Sequence, residues 1–295
     1  MTSLPNRIVL HLGAHKTAST HLQHSLVEAA LPGVALFGPR KLRKAGETIP
    51  ERFGFPLDAA KADGVDIDVA GVLARMAQGA GRLVLSDENF AGKLQTGWGR
   101  VPMPLYKTAP RRVAALAGRI AAVGGPALDL CLAIRTPAAF LESVYSQVLH
   151  GQQIIKPDAF LAKNDPADID WAEYVARLRA VPGVGALMVW RFEDYAPLFA
   201  EICATLVGST AVAPLAVRSQ PRLSQAAVDA LVQARALGLR VTASDAAREH
   251  PVSADKPPLT LYDAQVKAAA DADYAAQCAR IGAMAGVTLL RPGDA

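Results

Sequence analysis

A short apolar run followed by a turn of small and hydroxyl residues constrains this chain most. Residues 8–12 read as a buried strand, and apolar residues recur at helical spacing over 18–30. A strand, a tight turn and a helix N-terminus together form a common phosphate-binding arrangement. Free backbone N–H groups and the positive end of the helix dipole meet there. We therefore interpret residues 13–20 as an anion site; an ordinary strand-to-helix turn with a solvated lysine is the alternative.

The turn departs from the P-loop pattern G-x-x-x-x-G-K-[ST]. That pattern needs a glycine directly before the lysine, whereas His15 precedes Lys16 and Gly13 is the only glycine of the turn. Lys16 supplies a point charge. Hydroxyl groups that can donate hydrogen bonds come from Thr17, Ser19 and Thr20.

Strand and helix patterns alternate along the chain as far as residue 208. This alternation predicts an α/β fold with a doubly wound parallel sheet flanked by helices. Strands are expected at 8–12, 34–37, 83–85, 128–134 and 184–190. Residues 209–295 read as a helical extension packed on the 1–208 core. Because no long flexible linker separates them, residues 1–295 are expected to form a single domain.

Composition narrows the class of partner. The net charge of +4 suits an anionic ligand but is too small and too evenly spread for nucleic acid. No apolar run approaches the ~20 residues of a membrane span, and residues 1–7 lack the apolar core of a secretion signal. The three cysteines have no metal-ligand spacing, which indicates reduced thiols in the cytoplasm.

Two further predicted strands end in polar residues. Ser86, Asp87 and Glu88 follow the strand at 83–85, and Arg135 follows the strand at 128–134. Ligands of parallel sheets bind outside the carboxyl ends of the strands, so these residues would share an edge with Lys16. A carboxylate there could act as a general base. Two alternatives remain. Ser86 or Asp87 could cap a helical turn whose dipole Glu88 complements, and Arg135 could form a structural ion pair.

Three stretches, in this order, resemble the motifs of the sulfotransferase family. The stretch H-L-G-A-H-K-T-A-S-T-H-L-Q at 11–23 resembles the 5′-phosphosulfate loop G-x-x-K-[ST]-G-[ST]-[ST]-x-L-Q. Arg135-Thr136-Pro137, with Ser143 eight residues after the arginine, resembles the 3′-phosphate motif. W-R-F-E-D-Y at 190–195 is similar to the family segment [RY]-[FY]-E-D-[LM]. The resemblance covers about residues 7–200.

The resemblance implies a P-loop-like fold that binds 3′-phosphoadenosine 5′-phosphosulfate. It also implies transfer of the sulfuryl group, without a metal, to a hydroxyl or amine of a carbohydrate or other small-molecule acceptor. It assigns the 5′-phosphosulfate to Gly13, Ala14, Lys16, Thr17, Ala18, Ser19 and Thr20. It assigns the 3′-phosphate to Arg135 and Ser143. Lys16 would neutralise charge on the leaving oxygen, with Glu88 as the first choice of catalytic base and His15 as the second.

The chain departs from the family pattern at several positions. Ala18 replaces the usual glycine, a conservative change if residue 18 is helical, and His21 stands where many members have tryptophan. His11 is expected to face into the sheet. Candidates for the loop that completes the nucleotide site are Arg218, Arg222 and Ser224.

Two other functions stay open at this point, a P-loop kinase-like nucleotide enzyme and a catalytically inactive nucleotide-binding protein of the same fold. The identity of the acceptor cannot be read from the sequence. The acceptor pocket is expected in the loops 39–66, 92–108 and 151–170, whose sequences carry no chemical code. The oligomeric state also stays open.

Overall fold

Parallel strands form the central sheet. The computed structural model describes residues 4–56, 65–151, 155–216 and 223–293. Within these ranges the strands are β1 (Arg7–His11), β2 (Val34–Phe37), β3 (Arg82–Ser86), β4 (Leu128–Ile134), β5 (Val184–Arg191) and β6 (Val287–Leu290). Their order across the sheet is β2-β3-β1-β4-β5-β6, and every neighbouring pair is parallel. The predicted parallel α/β sheet is confirmed.

Helices connect the strands and cover the sheet. The described helices are α1 (Ser19–Ala29), α2 (Pro39–Leu42), α3 (Ile49–Phe53), α4 (Val69–Ala77), α5 (Ala109–Ala122), α6 (Pro137–His150), α7 (Pro157–Leu161), α8 (Trp171–Arg179), α9 (Phe199–Val207), α10 (Gln225–Ala236), α11 (Ala243–Glu249) and α12 (Ala264–Gly282). The short helices α2, α3 and α7 lie in segments that the sequence predicted as loops. Each begins with a proline in its first turn, a position that proline favours.

The side chains of β1 alternate between two apolar layers, as expected for a sheet covered on both faces. Ile8 and Leu10 belong to the larger core, which includes residues of α4, α5, α6, α8 and α12. Val9 belongs to a second core with Leu22 of α1 and Ile202 of α9. The sheet is therefore doubly wound.

The strand order places a crevice at the carboxyl end of β1. After β1 the chain builds β2 and β3 on one side of it, and then β4, β5 and β6 on the other. Ligands in open α/β sheets bind at such a switch in direction. His11 ends β1 and lies in register with Ser86 at the end of β3 and with Cys131 of β4.

The C-terminal segment is not wholly helical. Residues 287–290 form β6, which pairs in parallel with β5, and the sequence analysis missed this strand. The apolar pattern V-T-L-L is too short to stand out after the long helix α12. Gln277 of α12 accepts a hydrogen bond from the Trp171 N–H, 2.8 Å, and Lys267 pairs with the buried Glu142, 2.9 Å. These contacts support our proposal that 1–295 is one domain.

No described helix has the length and apolar character needed to cross a membrane. The three cysteines, all described, are buried and free of disulfides.

Candidate anion-binding site

The loop from β1 to α1 turns through three left-handed residues. The φ angles are 57° at Gly13, 68° at Lys16 and 63° at Ala18. Ala18 is the N-cap of α1 and not a helical residue, so its exchange for the family's glycine is not the conservative change described above. A left-handed conformation costs an L-residue about 1–2 kcal/mol, which shows that the surrounding structure holds the loop in this shape.

Gly13 leaves a small recess beneath the loop. A Cβ atom at Gly13 would lie 2.6 Å from Ser19 Oγ, 3.4 Å from Glu88 Cβ and 3.8 Å from His11 Nε2. We call the space enclosed by these atoms the loop recess. A side chain at position 13 would clash with Ser19 Oγ, and glycine also suits the positive φ angle.

Two buried polar atoms border the loop recess without a hydrogen-bond partner among the described residues. They are Ser19 Oγ and His11 Nε2, on side chains that are 6% and 1% exposed. No side chain caps the N-terminus of α1, whose first turn also lacks an acidic residue. Buried polar atoms normally find partners, so this end of α1 has the chemistry of a site for an anion.

Lys16 brings an uncompensated positive charge to the loop. Within the described ranges its ammonium group has no hydrogen-bond or ion-pair partner. Burial, and to a lesser degree the charge of Arg135, lowers the pKa of Lys16. Thr17 has a different role, because its hydroxyl donates to the Ala14 carbonyl oxygen at 2.6 Å and so stabilises the turn. Thr20 is exposed in the first turn of α1.

His15 is held by both ring nitrogens. Nδ1 lies 3.1 Å from the Tyr106 hydroxyl, and Nε2 lies 3.0 Å from Asn89 Oδ1. The Tyr106 hydroxyl also accepts the backbone N–H of His15. Because Asn89 Oδ1 only accepts, the Nε2 atom carries the proton and Nδ1 accepts from Tyr106. Both nitrogens are then engaged by hydrogen bonds within the protein.

Arg43 holds the two carboxylates at the end of β3. Its Nη2 lies 2.7 Å from Asp87 Oδ1 and 2.9 Å from Glu88 Oε1. Burial raises the pKa of Glu88, but the hydrogen bond and charge of Arg43 outweigh it, so the net pKa is below the usual value. For Asp87 burial dominates and the net pKa is raised. Arg43 therefore favours the ionised form of Glu88.

Arg135 is fixed against the loop. Its Nη1 donates to the Lys16 carbonyl oxygen at 2.7 Å, and its guanidinium lies 4.4 Å from the centre of the Phe192 ring. Trp171 Nε1–H donates to the Arg135 carbonyl oxygen at 2.8 Å. Glu193 accepts the Thr136 N–H at 2.9 Å, just before α6 begins. The segment R-F-E-D thus supports Arg135 and the N-terminus of α6.

Ser143 lies on the buried part of α6, two turns beyond Arg135. His150, seven residues later on the same helix face, has its pKa lowered by burial and by the charge of Lys16. The structure shows no direct contact between Ser143 and Arg135.

His21 connects α1 to the segment before residues 217–222. Its Nδ1 lies 2.7 Å from the Tyr195 hydroxyl, and its Nε2–H donates to the Leu215 carbonyl oxygen at 2.8 Å. Arg218 and Arg222 lie outside the described residues. Ser224 caps α10 by accepting the Ala227 N–H at 3.0 Å, which gives it a structural role.

Sequence reasoning missed several features of the site. His11 is buried within the sheet, as expected, but its partner-free Nε2 was not foreseen, and Arg43 and Tyr106 were not selected. Arg43 lies in the segment 39–66, which was expected to contribute to the acceptor pocket, and no local pattern links it to residues 87 and 88. Among the described residues, no group of three or more His, Cys, Asp or Glu side chains is arranged to hold a metal ion.

No protein-family model matches this chain. No curated protein matches it either. Among solved structures, a sulfotransferase from Alicyclobacillus acidocaldarius matches with 16% sequence identity and a TM-score of 0.43. That match covers 74% of this chain and 87% of the other. A likeness of this degree says nothing about what the present chain binds.

Proposed function

We propose that this chain is a sulfotransferase that uses 3′-phosphoadenosine 5′-phosphosulfate as its sulfuryl donor. The observation that carries the proposal is the loop recess, where the buried Ser19 Oγ and His11 Nε2 lack described partners beside the uncapped N-terminus of α1. Lys16, whose ammonium has no described partner, belongs to the same loop. Two further observations support the proposal. The three sequence motifs occur in the order found in the sulfotransferase family, and Arg135, which follows β4, donates a hydrogen bond to the loop at the Lys16 carbonyl oxygen.

The two anionic groups of the sulfuryl donor would bind to two sets of residues, each with one positively charged side chain. Lys16 and Ser19, with the backbone of 13–18, would hold the 5′-phosphosulfate. Arg135 and Ser143 would hold the 3′-phosphate, for which a guanidinium fork is well suited. Phe192 stacks on Arg135 and limits its rotamers, so less conformational entropy is lost when a phosphate binds.

Lys16 and Glu88 divide the chemical work in this proposal. The acceptor oxygen forms a bond to sulfur while the bond from sulfur to the 5′-phosphate oxygen breaks. Lys16 stabilises the negative charge that develops on that leaving oxygen. Glu88, ionised beside Arg43, accepts the proton of the acceptor hydroxyl. His15 orients the loop through Tyr106 and Asn89, and we assign it no proton transfer.

Two of the three expected acceptor loops meet in the structure. Asn164 joins them, because its Oδ1 accepts the Val101 N–H at 2.8 Å and its Nδ2 donates to the Gly99 carbonyl oxygen at 3.2 Å. A surface cleft of about 630 Å³ lies between the two loops and includes Arg100 and Asp168. We propose a small-molecule acceptor, such as a carbohydrate, for these loops.

Calorimetric titration with 3′-phosphoadenosine 5′-phosphate tests the nucleotide. The proposal expects binding without magnesium and no tighter binding of ATP with magnesium. Tighter binding of ATP with magnesium would favour a P-loop kinase-like enzyme instead. Binding without any sulfuryl transfer to a panel of hydroxylated acceptors would favour a catalytically inactive nucleotide-binding protein.

A thermal-shift comparison tests Arg135 alone. Arg135→Ala should lose most of the stabilisation that 3′-phosphoadenosine 5′-phosphate gives the unmodified protein, since bound ligand stabilises only the folded state. Arg240→Ala removes the same charge at an exposed position and is the matched control. An equal ligand-induced shift in both variants would remove Arg135 from the 3′-phosphate role.

A further inference from the structure

His11 is buried at the end of β1, on the floor of the loop recess. Its Nδ1 lies 2.8 Å from Ser86 Oγ, and its ring stacks on Trp190 with centroids 5.7 Å apart. Its Nε2 has no hydrogen-bond partner among the described residues and lies 3.8 Å from the point where a Cβ of Gly13 would be. Ser19 Oγ, also without a described partner, lies 2.6 Å from that point. The two atoms border the same small space.

The neighbours of His11 decide which ring nitrogen carries the proton. Gln23 Nε2 lies 3.2 Å from Glu88 Oε2 and 3.0 Å from Ser86 Oγ, so the Gln23 amide donates to both. Ser86 Oγ therefore accepts from Gln23, and the nearest acceptor for its own proton is His11 Nδ1. This places the imidazole proton on Nε2, which borders the loop recess.

Burial also keeps His11 uncharged. It lowers the pKa of His11 to about 4, against a smaller opposing effect of the Glu88 charge. The imidazole is then neutral at physiological pH and acts as a hydrogen-bond donor without adding a second full charge beside Lys16. A neutral, oriented imidazole is an effective donor to an anionic oxygen in a buried site.

We propose that His11 is a further anion-binding residue, whose Nε2–H donates a hydrogen bond to an oxygen of the 5′-phosphate in the loop recess. This inference rests on the proposed function for the identity of the nucleotide. Gln23 and Ser86 are positioning residues, because they act by setting the tautomer of His11. Glu88 accepts a hydrogen bond from Gln23 and so also helps to set the tautomer of His11. In this way it influences binding of the nucleotide in addition to its proposed role as the base for the acceptor hydroxyl.

Nitrogen NMR of the unmodified protein tests the first step. With ¹⁵N-labelled histidine, His11 should show a protonated Nε2 and a lone-pair Nδ1. Inorganic phosphate, used as the probe, should shift the Nε2 resonance. A protonated Nδ1, or an Nε2 resonance that does not respond to saturating phosphate, would overturn the inference. This measurement is independent of which nucleotide the protein uses.

Two related ligands separate the role of His11 from that of the whole site. His11→Phe keeps an aromatic ring against Trp190 but removes the donor. It should weaken binding of 3′-phosphoadenosine 5′-phosphate about 10- to 100-fold. It should leave binding of adenosine 3′-phosphate, which lacks the 5′-phosphate, within about twofold. An equal loss for both ligands, or no loss for either, would count against His11. If the unmodified protein binds neither ligand, the proposed function fails, and the NMR result with phosphate alone decides the inference.

Ser86→Ala provides a second variant in case His11→Phe does not fold. Without the Ser86 hydroxyl the proton of His11 is no longer held on Nε2. The expected loss is about 3- to 10-fold, again confined to the ligand with a 5′-phosphate, because the hydrogen bond is weakened and not removed. Equal affinities of Ser86→Ala and the unmodified protein for 3′-phosphoadenosine 5′-phosphate would contradict the positioning role of Ser86.

Discussion

The amino edge of the central sheet, where the strands begin, has paired polar groups, whereas the carboxyl edge also has two buried polar atoms without described partners. At the amino edge, Arg7 pairs with Asp129 at 2.7 Å, and Asp129 also accepts the Ala186 N–H at 2.9 Å. Arg82 at the same edge donates to the carbonyl oxygens of Thr205 and Leu206. At the carboxyl edge, Ser19 Oγ and His11 Nε2 are buried without a described partner.

We interpret this difference as a separation of residues that stabilise the fold from residues that we propose to bind the ligand. Pairing of buried polar groups is the rule in native proteins, so an unpaired buried donor needs a particular reason. The left-handed conformation of Lys16 and Ala18 adds a second cost at the carboxyl edge. Substitutions at the two edges should therefore change different properties.

The largest expected effect is that of Lys16→Ala on sulfuryl transfer. Removal of the charge at the leaving oxygen should lower kcat/KM about 10²- to 10³-fold, with little change in the free energy of unfolding. Lys16 makes no described ion pair, so the fold loses no contact of its ammonium. Steady-state kinetics and urea denaturation measure the two quantities.

The matched control for this prediction is Arg240→Ala, which removes one positive charge from an exposed position. It should leave kcat/KM within about twofold of the unmodified protein, because the field of an exposed charge is strongly screened by water and salt. Full activity of Lys16→Ala, or loss of its fold, would contradict the proposed contrast between the two edges. Lys16 is the residue of the carboxyl edge that should affect catalysis most and stability least.

The next effect concerns the pH profile of kcat/KM. Glu88 has a lowered pKa, so it stays ionised and active as a base until the pH falls below the ordinary glutamate value of about 4.3. Glu88→Gln should remove about 10²-fold in rate, near the low end for a general base, because a carboxylate of low pKa is a weak base.

Arg43→Gln tests the cause of the lowered pKa. Arg43 lowers the pKa of Glu88 while burial raises it, so loss of the arginine should move the acidic limb of the profile upward in pH. Glu88→Gln should abolish that limb. An acidic limb at the same pH in Arg43→Gln and the unmodified protein would show that Glu88 is not the titrating group.

The sequence predicted the sheet well because local patterns encode it. Apolar runs with turn residues after them marked the first five strands, and Lys16, Glu88 and Arg135 were placed at strand ends. The contacts of Arg43 with residues 87 and 88 join positions more than 40 apart in the chain, and no local pattern announces them. His11 is a strand residue, as predicted, but its partner-free nitrogen could not be foreseen, because it depends on the positions of Gly13 and Ser19 after folding. Strand β6 was missed because it forms only when β5 provides a neighbour.

Asp129→Ala at the amino edge should affect stability and not catalysis. It removes an ion pair with a partly exposed arginine and one hydrogen bond to the backbone, which together contribute about 1–2 kcal/mol. Urea denaturation should show that loss, with kcat/KM unchanged. Asp255→Ala, at an exposed turn, is the control and should change neither quantity. A large loss of activity in Asp129→Ala without loss of stability would contradict the contrast.

The smallest expected effect compares the two ends of α1, both of which carry a left-handed alanine. Ala18 has a φ angle of 63° and Ala30 one of 43°. Glycine at either position relieves a strain of about 1–2 kcal/mol but gains freedom in the unfolded chain, so the net gain in stability is about 0.5–1 kcal/mol.

Only Ala18 borders the anion site, so the ligand should distinguish the two variants. Ala30→Gly should raise the free energy of unfolding and leave the affinity for 3′-phosphoadenosine 5′-phosphate unchanged. Ala18→Gly should raise stability by a similar amount but weaken binding about two- to fivefold, because a freer loop loses more conformational entropy when the ligand orders it. Denaturation and calorimetry on both variants measure this. Equal affinities of Ala18→Gly and Ala30→Gly would mean that the strained residue at the start of α1 does not preorganise the site.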